Sequence, residues 1–289
     1  MPPRFDLQSH SRWSDGELSP SGVVTAAAAA GVELLALTDH DAVDGVDEAL
    51  ASGEAHGVRV VAAAELSTLD GTREDLHVCA YLVDHHAPAF VAALREFRED
   101  RNARGGRMLA ALAQCGFALD RTDVDARAAR GAPVGRPHLA RAVYEHPDNR
   151  ARLEAEGLDD PGAVLVAYLI PGAPAYRRRT TPTVQEAIDV IHAAGGLAVW
   201  AHPFSDLDAD AAVLDAVDRF AAMGLDGVEC FYRTHTEAQT RLAAGHCGQR
   251  GLLTTGSADF HGPGHRLFGA FRAFDTYDLT PRLGPIAEP

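Results

Sequence analysis

Apolar residues along this chain gather in short uninterrupted runs, and several of the runs stop at a side chain able to bind a cation. Leu34-Leu35-Ala36-Leu37 ends on Thr38-Asp39-His40-Asp41. A run of strand length without alternation suits a strand buried on both faces, and parallel α/β folds place their sites just past the C-terminal ends of such strands. The pattern recurs: Phe5-Asp6-Leu7 leads to Gln8 and His10, Val60 to Ala64 leads to Glu65, Leu197 to Ala201 leads to His202, and Leu252 to Gly256 leads to Asp259 and His261. Runs beginning at Phe5, Leu34, Arg59, Asp75, Leu197, Gly227 and Leu252 predict seven strands.

Helical periodicity fills the spaces between them. Ser19-Pro20-Ser21 opens a helix through Val23 to Ala30, with Ser19 as cap, Pro20 in the first position and Gly31 as the stop. Further helices are predicted over Val46 to Ala55, Thr183 to Ala194, Ala209 to Met223 and Glu237 to Gln249, a rhythm that favours parallel βα units. Between Pro88 and Thr180 the rhythm stops. Phe90 to Gln114 reads as one or two amphipathic helices whose arginines form a solvated face, and Asp123 to Arg130, Pro137 to Tyr144 and Asp160 to Leu169 continue in shorter pieces. The expected organisation is therefore a barrel from residues 1–87 and 181–289, interrupted by a helical subdomain at 88–180 that covers its mouth.

Composition narrows the function. At 289 residues and 46% hydrophobic the chain can bury a large core, and no apolar segment approaches the roughly 20 residues of a membrane span. Met1-Pro2-Pro3-Arg4 runs into a strand without the apolar region of a signal peptide, and the four cysteines form no C-x-x-C pair, so a cytoplasmic protein with reduced thiols is expected. The net charge of -15 disfavours duplex nucleic acid and anionic membranes as partners, leaving a small molecule.

Each candidate ligand has an ordinary reading on its own: His77 as a packed core histidine, His202 as a loop residue before proline, Asp15 as a turn residue before Gly16. Together they point elsewhere. Ionisable groups at so many strand ends are costly without a compensating cation, and His nitrogen with Asp or Glu oxygen suits first-row divalent ions. His56, His85, His86, His146, His192, His246 and His265 are read as surface or packing histidines. His138, in Arg136-Pro137-His138, and the run Arg177-Arg178-Arg179 sit in the predicted subdomain, where guanidinium forks suit a phosphate; His235, just beyond a strand, is a candidate substrate-facing group.

The residues then resemble a family, the PHP (polymerase and histidinol phosphatase) domain, in its stand-alone metal-dependent phosphoesterase group. The resemblance is carried by Asp6-Leu7-Gln8-Ser9-His10 with Ser14-Asp15-Gly16, Thr38-Asp39-His40-Asp41, Glu65-Leu66-Ser67, Leu76-His77 with Tyr81, Ala201-His202-Pro203, Gly227-Val228-Glu229 with His235-Thr236, and Gly256 to Gly262. It implies a distorted (β/α)7 barrel holding two or three divalent ions, with manganese expected and Fe, Zn or Mg as alternatives. By position, His10, Glu65 and Asp259 would hold the first ion, Glu65, His77 and His202 the second, and Asp15, His40 and His261 the third. One departure stands out: the family's first motif is H-x-H, and its first histidine is here Gln8, a weak or absent ligand.

The implied activity is hydrolysis of a phosphomonoester of a nucleotide or short oligonucleotide by metal-activated hydroxide. Asp259 would accept the water's proton, His235 would protonate the leaving oxygen, and Arg136, His138, Arg177, Arg178 and Arg179 would bind substrate. The alternative is a weakened barrel that binds a phosphometabolite as a regulatory module because of Gln8. The sequence leaves the oligomeric state open.

Overall fold

The computed structural model describes residues 3–207 and 209–288; Met1 and Pro2, the start of the segment read for a leader, lie outside them. Seven strands form one sheet in chain order: β1 (Phe5–Asp6), β2 (Leu34–Leu37), β3 (Arg59–Asp70), β4 (Arg73–Tyr81), β5 (Leu197–Trp200), β6 (Gly227–Tyr232) and β7 (Leu253–Ser257). The ends of the sheet meet. Leu7 N donates to Gly256 O at 3.2 Å, Ser9 bridges Phe260, and Asp6 accepts from Ala258 N at 2.9 Å. The result is an α/β barrel, with Leu7, Ala36, Val61, Ala63, Cys79, Tyr81 and Val199 packed inside it and Ile286, near the C-terminus, joining the same cluster.

Neighbouring strands are parallel except at β4, which runs against both β3 and β5. The expected parallel βα units hold for the other neighbours, and the β3–β4 and β4–β5 pairs depart from them. β3 does not stop at Glu65 but continues to Asp70 and returns through the tight turn Gly71-Thr72, where Gly71 has a φ of 60° that a side chain with a Cβ adopts only at a cost. Glu65 and His77 therefore lie within a hairpin and not at strand ends.

The helices follow from local chemistry. In α1 (Pro20–Ala29) the Ser19 side chain accepts from Gly22 N, and Gly31 follows the helix with a φ of 75°. After α2 (Val46–His56) comes one helix of 27 residues, α3 (Pro88–Gln114), then α4 (Thr122–Ala129), α5 (Arg136–Tyr144), α6 (Arg150–Glu156) and α7 (Pro161–Tyr168). α8 (Val184–Ala193) is capped reciprocally by Thr183 and Glu186, and α9 (Pro203–Asp206), α10 (Asp210–Ala222) and α11 (Glu237–Arg250) complete the α-helices among the described residues. Among the described residues no helix is long and apolar enough to cross a membrane.

The chain divides into two units, residues 1–94 with 182–289 and residues 95–181, so the boundary falls inside α3. The second unit has its own core, in which Met108, Leu109 and Leu112 of α3 meet Leu139 and Val143 of α5 and Val164 of α7. Its arginines are not all the solvated face expected from sequence. Arg101 and Arg104 of α3 are buried, as are Arg127 and Arg179, and Arg104 Nε donates to Arg177 O at 2.7 Å while its guanidinium lies 5.1 Å from the centre of the Tyr176 ring. An arginine stem packs as an apolar chain while its head serves backbone carbonyls.

Candidate metal centre

β3 carries Glu65 and Ser67 on one face, and Ser67 pairs with His77 across the hairpin, so Glu65 and His77 point the same way into the barrel. Glu65 is fully buried and its two oxygens divide the cluster. Oε2 lies 3.3 Å from His10 Nε2 and 3.1 Å from His40 Nδ1. Oε1 lies 2.8 Å from His77 Nδ1 and 3.2 Å from His202 Nε2, and accepts a hydrogen bond from Gln8 Nε2 at 2.9 Å. Asp259 Oδ1 stands 3.0 Å from His10 Nε2. Asp15 faces the other side, 3.6 Å from both His40 Nε2 and His261 Nε2.

These separations fit shared cations. An ion with ligand bonds of about 2.0–2.2 Å sets adjacent donors about 2.8–3.6 Å apart at octahedral or tetrahedral angles. His10 Nε2, Glu65 Oε2 and Asp259 Oδ1 are buried yet make no hydrogen bond among the described residues, although they lie within 3.0–3.3 Å of a neighbour in the set. Buried donors aimed past one another at a common point are what a cation requires. Donor atoms of His10, Asp15, His40 and His261 lie within 4.8 Å of one another, as do those of His40, Glu65 and His77.

Charge confirms how demanding the cluster is. Burial works against a proton on His10, but the Asp259 and Glu65 carboxylates raise its affinity well above the usual imidazole range. Burial would likewise raise Glu65, and the His77 and His40 imidazoles instead hold it well below the carboxylate range. Asp259 falls to about 2 because His261 and His10 outweigh its burial. Without cations, a proton on His10 offsets the carboxylates; a divalent ion would take over that role.

Backbone strain accompanies the ligands. His202 and Asp259 adopt φ values of 32° and 54°, and Asp41, beside His40, has 49°. Gly16 lets the turn carrying Asp15 fold back, since a Cβ there would collide with the His10 carbonyl.

Several partners were not picked out by sequence. Ser14 Oγ donates to Asp39 Oδ1 at 2.6 Å, so it is left to accept from His10 Nδ1 at 3.3 Å, which aims Nε2 at Glu65 and Asp259. Asp39 also takes the Ser11 hydroxyl and amide at 2.6 and 2.7 Å. His261 Nδ1 donates to Asp259 O at 2.8 Å, turning its Nε2 toward Asp15. Glu229, buried behind His202, accepts from His202 N at 2.9 Å and Ser257 Oγ at 2.6 Å, and burial pushes its carboxyl up to about 8. The sequence signal was present, since Ser14, Asp39 and Glu229 fall in the motifs, but a polar residue beside a ligand has no pattern of its own. Gln8 turns its amide nitrogen toward Glu65, with its oxygen 3.4 Å from Ser257 Oγ.

Tyr232 donates to Asp259 Oδ2 at 2.8 Å, and its ring centre lies 5.2 Å from that of His235. His235 is buried; its Nδ1 donates to Cys230 O at 3.1 Å and its Nε2 makes no hydrogen bond among the described residues. Burial lowers its pKa to about 4, so it is neutral at neutral pH. The remaining predicted residues belong to the other unit. Arg136 opens α5, His138 is buried with Nδ1 accepting from Gly135 N at 3.0 Å, Arg177 donates to Tyr176 O at 2.7 Å, Arg107 donates to Arg178 O at 3.2 Å, and Arg179 lies 3.9 Å from Asp100.

Comparison with known proteins gives a consistent picture. A family model described as the PHP domain matches residues 6–119. The chain is 32% identical over 283 residues to a 3',5'-nucleoside bisphosphate phosphatase of Chromobacterium violaceum, covering 98% of this chain and 94% of that protein. It is 30% identical to a 5'-3' exoribonuclease of Haemophilus influenzae, covering 91% and 92% respectively. A solved structure from Bifidobacterium adolescentis, described by inference as a metal-dependent phosphoesterase, superposes with a TM-score of 0.78 at 27% identity, covering 92% of this chain and 91% of that one.

Proposed function

The chain belongs to the PHP domain family, and on that premise we propose that it is a metal-dependent phosphoesterase hydrolysing a phosphomonoester of a nucleotide or short oligonucleotide. The observation that carries this reading is Glu65, a buried carboxylate whose two oxygens each face two imidazoles. The relatives support this substrate class, since one is a 3',5'-nucleoside bisphosphate phosphatase and another a 5'-3' exoribonuclease.

Divalent ions held by these groups would neutralise the phosphoryl oxygens and bring the pKa of a water toward neutrality. We expect manganese, because the carboxylates of Asp15, Glu65 and Asp259 supply the oxygen donors that suit it. Asp259 stays ionised through the neutral range and is proposed to accept the attacking water's proton. His235 enters the cycle neutral. The negative charge of a bound phosphoryl group opposes its burial, raises its proton affinity and equips Nε2 to protonate the leaving oxygen. In the helical unit, Arg136, His138 and Arg177 to Arg179 are proposed to bind a substrate phosphate.

The test is phosphate release from nucleoside 3',5'-bisphosphates with Mn²⁺. Glu65→Gln and Asp259→Asn should lose activity by at least a hundredfold; retention by both would overturn the assignment. Gln8 favours one second reading, a regulatory phosphometabolite-binding barrel, because its amide occupies a Glu65 oxygen that a histidine would leave to an ion. Turnover appearing only in Gln8→His would support that reading. The four free thiols suit a reducing compartment, so the cytoplasm is the proposed location.

A further inference from the structure

The turn leading from β4 into α3 gathers ligand-type side chains that the barrel centre does not use. Asp84 builds the turn: its carbonyl accepts from Ala87 N at 3.0 Å, its Oδ1 accepts from His86 N at 3.0 Å, and its own N donates to Ala194 O at 2.9 Å. His85 and His86 are the two central residues, with ring centres 4.1 Å apart. Both aim Nε2 at one atom, Asp47 Oδ1, at 2.9 and 3.1 Å. Asp47 stands in the first turn of α2, where the helix end favours an anion, and its hydrogen bond from His85 and the nearby His86 hold it below the usual carboxylate range.

The ordinary reading is an ion pair on the surface. Its geometry exceeds that need: the carboxylate offers two oxygens, yet both imidazoles converge on one, and donor atoms of all three residues lie within 4.8 Å of one another. The two nitrogen–oxygen separations also match the polyhedron edges of about 2.9–3.4 Å around an ion with bonds near 2.0–2.1 Å.

The geometry points to a second metal site, formed by Asp47, His85 and His86, that takes a zinc-class ion (Zn²⁺, Ni²⁺ or Cu²⁺) with its open positions filled by water. Two imidazoles and one carboxylate favour such ions over Mn²⁺, which binds such donors least tightly of the first-row series. The ion would clamp the first turn of α2 to the β4–α3 turn. The site shares no residue with the barrel centre.

His86 has a side chain 67% exposed, so it reports directly through reaction with diethyl pyrocarbonate, read by peptide mass spectrometry on Mn²⁺-loaded protein. Adding Zn²⁺ should slow its modification at least tenfold, extra Mn²⁺ should not, and Asp47→Ala should abolish the protection. Equilibrium dialysis should count one more Zn²⁺ per chain in the wild type than in His85→Ala/His86→Ala. Unchanged modification with Zn²⁺, equal zinc counts, or protection that persists in Asp47→Ala would each overturn the site. Asp47→Asn, which keeps a hydrogen-bond acceptor but no charge, should fall between wild type and Asp47→Ala.

Discussion

Ser14 determines which nitrogen of His10 faces the cluster. Because its own proton goes to Asp39, it can only accept from Nδ1, and the Nε2 lone pair is left for a cation. Removing that control should weaken ion binding more than it weakens the fold. Ser14→Ala is expected to reduce affinity for Mn²⁺ by about 10–100-fold, measured by isothermal titration on metal-free protein, with thermal stability of that metal-free protein little changed. His235 makes a different kind of prediction. His235→Asn should slow nucleotide hydrolysis by about 10²–10⁴-fold but spare p-nitrophenyl phosphate, whose leaving group needs no proton. Glu229 gives a pH signature. Its folded pKa of about 8 exceeds its ordinary value near 4.5, so the folded state binds the extra proton across that interval. Stability of the metal-free protein therefore falls as pH rises from about 4.5 to about 8, and Glu229→Gln should flatten the slope in urea denaturation.

At the scale of elements, the β3–β4 hairpin is the feature that most shapes the centre. It places Glu65 and His77 on one inward face, and its turn depends on Gly71 at a φ of 60°. Gly71→Val should cost about 1–2 kcal/mol in chemical denaturation, and Gly71→Asn much less, since asparagine tolerates the left-handed region. The hairpin was also where sequence reading reached its limit. Leu34 to Leu37 and Leu197 to Trp200 were legible as buried strands because nothing polar interrupts them, and the ligands after them followed. Direction is not written in such a run: β4 is apolar enough to be a strand, but only pairing reveals that it is antiparallel. The arginines of α3 misled for a related reason, since composition marks a charged head and not where its stem packs, and Arg104 is buried.

Across the whole molecule, ligands from residue 10 to residue 261 come together because a sheet in simple chain order closes on itself, through Leu7 and Gly256 and through Asp6 and Ala258. That closure explains why the cluster was visible as a list of motifs before any geometry was known. Gln8 was legible as a departure, but the direction of its amide was not, because both ends of the group are polar and only Glu65 and Ser257 select between them. The helical unit is held by its own core, so Arg178→Ala should leave it folded, and as a proposed phosphate-binding residue its loss should raise KM for nucleoside bisphosphates.

The central claim is that Glu65 joins imidazoles from separate strands around shared cations. Anomalous-difference maps from crystals soaked in Mn²⁺ test it directly. Peaks are predicted within about 2.0–2.2 Å of Glu65 and the neighbouring His77, His202 and His10 nitrogens. Maps with no peak touching either Glu65 oxygen, in crystals that show Mn²⁺ bound elsewhere, would contradict it.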